Sequence, residues 1–149
     1  MFKNILTVTN GSERCLHAIE IAADMALIHG ANLTVLVASE FRTDIAAAEG
    51  YILQPDFDQM RGAAKRREAK HLEQGLEIAR KRGIPEAMLT GMSCEEADAA
   101  TAVLHKANTL GADLIVIGSR GRHGLATLIL GSVTADVISG TKIPVLVVK

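Results

Sequence analysis

Residues 112–133 read ADLIVIGSRGRHGLATLILGSV, and this stretch decides the fold. Leu114 to Ile117 is an unbroken apolar run rich in β-branched residues. Such a run, with no polar alternation, predicts a strand covered on both faces. Gly118 ends it at once, and Gly121 follows three positions later. Nine residues on, Gly131-Ser132 opens a helical pattern that runs from Val133 to Ile138. A buried strand, a Gly-rich turn and a helix form one half of a βαβ unit.

The pattern repeats outward in both directions. Downstream, residues 143–148 (IPVLVV) form a last strand, with Pro144 tolerable at its start. Upstream, Ala97, Ala100, Val103, Leu104, Ala107 and Leu110 recur at helical spacing. Ser93 and Glu96 have the spacing of a capping box in front of them. Ala87 to Thr90 is a weak strand, and Gly83-Ile84-Pro85 breaks the helix before it. That helix is long, with Phe57, Met60, Ala64, Leu72, Leu76 and Ala79 on its apolar face. Lys65, Arg66, Arg67, Glu68, Glu73 and Glu77 read as its solvated face, laced by i,i+4 pairs. Residues 41–55 have no period and read as a long loop or lid. Leu33 to Ala38 is a strand. Before it, Cys15, Leu16, Ile19, Ala22, Ala23, Ala26 and Leu27 mark a helix that Ser12 caps and Gly30 ends. Ile5 to Thr9 is the first strand, closed by the turn Asn10-Gly11-Ser12.

Strands alternating with helices give an α/β fold: a single domain over residues 1–149, with a five-stranded, mostly parallel sheet and helices on both faces. Apolar residues make up 48% of the chain and charged ones 22%, which excludes a disordered chain. A net charge of -1, no Trp and one Tyr argue against nucleic-acid binding. No apolar run nears the roughly 18 residues of a membrane span, and the N-terminus lacks a signal-peptide pattern. Cys15 and Cys94 match no metal spacing. The expectation is a soluble, cytoplasmic protein.

The Gly-rich segment is suited to phosphate. Glycine lets backbone amides approach an anion closely, and a helix opening at Gly131-Ser132 offers free amides and the positive end of its dipole. Arg120, Arg122 and His123 lie within the segment, and no acidic residue does. In an open parallel sheet this segment falls beyond the C-terminal strand ends, where ligands bind. Missing pieces exclude other nucleotide enzymes. There is no G-x4-G-K-[ST] and no G-x-G-x-x-G after the first strand. The remaining histidines, at 17, 29, 71 and 105, read as ordinary helix residues.

Gly118-x2-Gly121-x9-Gly131-Ser132 resembles the ATP-binding signature of the universal stress protein family. The opening ILTVTNGS and the ending IPVLVVK are similar to that family too, so the likeness spans the chain. The resemblance implies a Rossmann-like fold and a stress-response regulator or energy-state switch that binds ATP, with Mg2+ or Mn2+ as a potential companion. It implies adenine against the ends of the first two strands, at Val8, Asn10 and Ala38. It places ribose and phosphates on Gly118, Ser119, Arg120, Gly121, Arg122, His123 and Gly124, and on Gly131, Ser132, Val133 and Thr134. It also implies a homodimer, which the apolar strand at 143–148 would seal at a sheet edge. The family's ATP binders usually carry Pro-x-Asp at the first strand's end, where this chain has Val8-Thr9-Asn10. Two other readings stay open: a dimeric scaffold without nucleotide, and a slow ATPase.

Overall fold

Ser12 holds extended backbone, and its Oγ accepts the Cys15 N–H at 3.4 Å, which starts helix α1, Glu13–His29. Gly30 ends α1 in the left-handed region, at φ 63°. Both signals act where the sequence puts them. The computed structural model describes residues 1–38, 56–95, 98–119 and 130–149. Strand β1 is Asn4–Thr9 and β2 is Asn32–Ala38. Helix α2, Phe57–Arg82, ends at Gly83, again left-handed. A 3-10 turn at Glu86–Met88 leads into β3, Leu89–Cys94. Helix α3 is Ala99–Thr109, β4 Leu114–Gly118, α4 Ser132–Gly140 and β5 Val145–Val148.

The five strands form one sheet in the order β3-β2-β1-β4-β5, and every pairing is parallel. Ile5 stands beside Leu33 on one side and Leu114 on the other. Strand alternation sorts the core into two layers. Ile5, Leu33, Val35, Leu114 and Val116 pack under the alanine-rich faces of α1 and α2. Leu6, Leu36, Ile115 and Ile117 pack under α3 and α4, against Val103, Ala107 and Val137. After β1 the chain builds outward to β2 and β3, then returns to place β4 on the other side of β1. The crevice beyond the C-terminal ends of β1 and β4 is therefore the topological switch point of the sheet.

Three expectations change. The third strand is Leu89–Cys94 rather than 87–90, because Pro85 starts a 3-10 turn over Glu86–Met88. It is an edge strand with exposed Thr90, Gly91 and Ser93, so no hydrophobic run marks it. Ser93 sits in its ladder opposite Val37 and caps nothing. Asp98 caps α3 instead, accepting the Thr101 N–H at 2.8 Å, while Glu96 lies outside the described residues. On α2, Met60 is 50% exposed, and the buried stripe is Ala64, Glu68, Gly75 and Ala79. On the outer face of α2 Lys81 and Glu77 form an i,i+4 ion pair as expected, whereas Arg80 pairs at longer range with Glu73 and with Glu86 beyond the helix end. The Lys81 ammonium hydrogen-bonded to Glu77 holds that carboxyl below its usual value. Among the described residues, no helix is long and apolar enough to cross a membrane.

Candidate functional site

The switch-point crevice receives the N-termini of two helices, and they differ. At α1, side chains satisfy the turn. Thr9 Oγ1 accepts the Gly11 N–H at 3.0 Å, Asn10 Oδ1 accepts the Ser12 N–H at 3.1 Å, and Ser12 caps Cys15. Gly11 has φ +77°, and a Cβ there would stand 2.4 Å from the His71 ring. Asn10 thus uses its oxygen within the turn and keeps its amide hydrogens for another partner.

At α4 the N-cap is Gly131, with ordinary extended φ and ψ of -60° and 152° and no side chain to accept a bond. The Gly131 N–H donates to Ser119 O at 2.9 Å, and the Ser119 N–H to Val148 O at 2.7 Å. Gly131 is therefore a positioning residue whose own amide is engaged. The amides of Ser132, Val133 and Thr134 fall in the first turn, where a helix supplies no carbonyl, and none has a partner among the described residues. Free amides at the start of a helix are suited to an anion. The Thr134 hydroxyl is not among these donors. It is buried and donates to Gly118 O at 3.0 Å, hooking α4 to the end of β4.

Gly118 also has a packing duty. A Cβ there would lie 3.0 Å from Arg14 O and 3.2 Å from Cys15 N, so the end of β4 lies directly against the first turn of α1. Val8 and Ala38 bury their side chains in the layer under α3 and α4. What those positions turn toward the crevice is backbone at the strand ends. Arg120, Gly121, Arg122, His123 and Gly124 lie outside the described residues, as does the lid expected at 41–55.

Helix α2 adds residues that sequence reading assigned to the surface. Val37, Ala38 and Asn10 form a small cleft with Ala64, Arg67, Glu68 and His71, with room of about 10 Å³, one water's worth. Glu68 is only 7% exposed. His71 lies against Gly11. The signal that would have found them is spacing: 64, 68, 71 and 75 fall on one helix face, and Gly75 packs against Ile19 and Val35. Among the described residues no group of three His, Cys, Asp or Glu side chains converges to hold a metal ion.

Residues 1–149 match the sequence profile of the universal stress protein family. A Thermus aquaticus relative, described as a universal stress protein in the QAH/OAS sulfhydrylase 3' region, is 36% identical over 154 residues, and the match covers the whole of both chains. A solved universal stress protein in complex with cAMP superposes with a TM-score of 0.73 at 22% identity, over 99% of this chain and 97% of that one. The Archaeoglobus fulgidus universal stress protein in complex with dAMP gives 0.70 at 21% identity, over 100% and 98%. At such identities these two structures speak for the fold.

Proposed function

The chain belongs to the universal stress protein family, and from that premise we propose that it binds ATP at the switch-point crevice and acts as a stress-response regulator or energy-state switch. The observation that carries this reading is the N-terminus of α4, which has no side-chain cap and whose first three amides have no partner among the described residues, beside a helix α1 that Ser12 caps. A phosphate group supplies the acceptors these amides lack. The two ligands named above, cAMP and dAMP, differ in sugar and in phosphate linkage but share adenine, which supports an adenine nucleotide as the ligand. A divalent cation, Mg2+ or Mn2+, would ride on the phosphates. Its chemistry there is charge neutralisation. The proposed activity is binding rather than turnover. Cys15 and Cys94 are both buried and form no disulfide, in keeping with a reducing cytoplasm.

Isothermal calorimetry with ATP and magnesium tests the reading. Saturable heat with one site per chain is expected. No heat at millimolar nucleotide would leave the dimeric scaffold as the better account.

The same reading includes a homodimer. Among the described residues, strand β5 is an edge of the sheet that pairs with β4 alone, and it leaves Leu146 36% exposed. An apolar edge of this kind invites a second strand, and a two-fold axis closes the pair. Light scattering at micromolar concentration should give twice the chain mass, and Leu146→Lys should shift the population toward monomer. A wild-type monomer would refute the dimer. A Leu146→Lys dimer of unchanged strength would move the interface elsewhere.

A further inference from the structure

The geometry points to a self-modification site at Asn10 and Gly11: the pair closes to a cyclic imide and reopens as aspartate or isoaspartate, giving the crevice end of β1 a negative charge that it lacks at synthesis. This stands on the chemistry of the turn and needs no nucleotide. An asparagine deamidates when the next backbone nitrogen attacks its side-chain carbonyl carbon, and a following glycine leaves that nitrogen unshielded. The chain has four asparagines, at 4, 10, 32 and 108, and only Asn10 precedes a glycine. Ile5, Leu33 and Thr109 follow the others. The fold itself demands this glycine. Gly11 has φ +77°, and a Cβ there would stand 2.4 Å from the His71 ring.

Three features of the turn favour the step, and one restrains it. The Ser12 N–H donates to Asn10 Oδ1 at 3.1 Å, so it faces the oxygen on which negative charge builds during attack. Helix α1 starts at this turn, and the positive end of its dipole favours the same charge. Asn10 is half-buried and lines a cleft with room for about one water, and its Nδ2, the leaving nitrogen, has no partner among the described residues. The restraint is Thr9. Its Oγ1 accepts the Gly11 N–H at 3.0 Å, and that bond must open before the nitrogen can turn onto Cγ. Thr9 is thus a positioning residue that sets the pace. In the reaction, hydroxide takes the Gly11 amide proton and the nitrogen bonds to Asn10 Cγ. The Cγ–Nδ2 bond breaks, and Nδ2 takes a proton from solvent and leaves as ammonia. Water then adds to the imide. Opening at Cγ gives aspartate, and opening at the main-chain carbonyl of residue 10 gives isoaspartate. Water enters, ammonia leaves, and nothing is oxidised or reduced. In the aspartate product the Ser12 N–H meets a carboxylate, a charge-assisted bond.

The test ages the folded wild-type chain in warm, mildly alkaline buffer beside the same chain unfolded in urea, then digests both with trypsin. The peptide of residues 4–14 carries Asn4 and Asn10 together, so Asn4 serves as an internal control. Fragment masses should show a gain of about one mass unit at Asn10 and none at Asn4. On isoelectric focusing the aged chain should gain an acidic band that runs with fresh Asn10→Asp. The folded chain should react within about tenfold of the unfolded one, the delay that the Thr9 hydrogen bond alone would impose. Thr9→Val removes the acceptor and should speed the folded chain about two- to tenfold, whereas Thr9→Ser keeps the hydroxyl and should hold the wild-type rate. A folded chain that keeps Asn10 intact while the unfolded chain gains the mass overturns the inference. So does a folded rate more than about tenfold below the unfolded one, or equal gain at Asn4 and Asn10. A folded Thr9→Val chain with an unchanged rate overturns the part given to Thr9.

Discussion

Gly118→Val is expected to lower unfolding stability by about 1–3 kcal/mol, the usual range for overpacking a filled site. The clash is with backbone. A Cβ at this position would stand 3.0 Å from Arg14 O, 3.1 Å from Arg14 C and 3.2 Å from Cys15 N. A side chain in the way could swing aside, but these atoms belong to the first turn of α1. That turn is held by the Ser12 cap and by the Leu16 N–H on Ser12 O at 3.0 Å. β4 cannot retreat easily either, since it is paired with β1 on one side and β5 on the other. The Gly118 carbonyl also takes the Thr134 hydroxyl, so a shift of β4 disturbs α4 as well. Urea denaturation should show the lowered midpoint with an unchanged slope. An unchanged midpoint would mean that α1 accommodates the side chain, and the close approach would lose its structural meaning. A Gly118 variant that also lost nucleotide would say little about ligand contact, because the fold around the crevice would already have moved.

Much of this architecture was legible because its signals are local. Ser12 and Gly30 bound α1 through their own hydrogen bonds and dihedrals, and the four residues from Leu114 mark a strand by composition alone. The edge strand β3 was shifted and shortened in reading because its residues face water and carry little apolar pattern. On α2 the charged letters misled. Glu68 and His71 read as surface, yet they share a face with Ala64 and Gly75 and turn toward the cleft. Helical phase, which orders residues by angle, would have identified them better than residue type. The crevice shows a further limit of motif reading. Glycine spacing pointed to the switch-point crevice, but the fixed glycines have unequal duties. Gly118 makes room for α1, and Gly131 engages its own amide with Ser119. Which amides remain for a ligand emerges only from following each hydrogen bond to its partner.

The open amides themselves can be tested without disturbing the fold. Ser132→Pro is expected to weaken ATP binding roughly 10- to 100-fold, as loss of one charge-assisted hydrogen bond of about 1.5–3 kcal/mol would do. Proline removes the Ser132 N–H, the first of the three α4 amides that have no partner among the described residues. It suits the first helical position, where its fixed φ is already helical and no intrahelical bond is lost. The preceding residue must be extended, and Gly131 already has φ -60° and ψ 152°. The Ser132 side chain is exposed, so replacing it leaves the core untouched. Thermal stability should therefore hold while affinity falls. The control is Ser132→Ala, which keeps the amide and discards the hydroxyl. If the backbone is what holds phosphate, Ala should bind far closer to wild type than Pro does. Equal losses in the two variants would assign the contact to the hydroxyl. A proline variant with wild-type affinity and an intact melt would place the phosphates away from α4, and the family's nucleotide site would have to be sought elsewhere along the crevice.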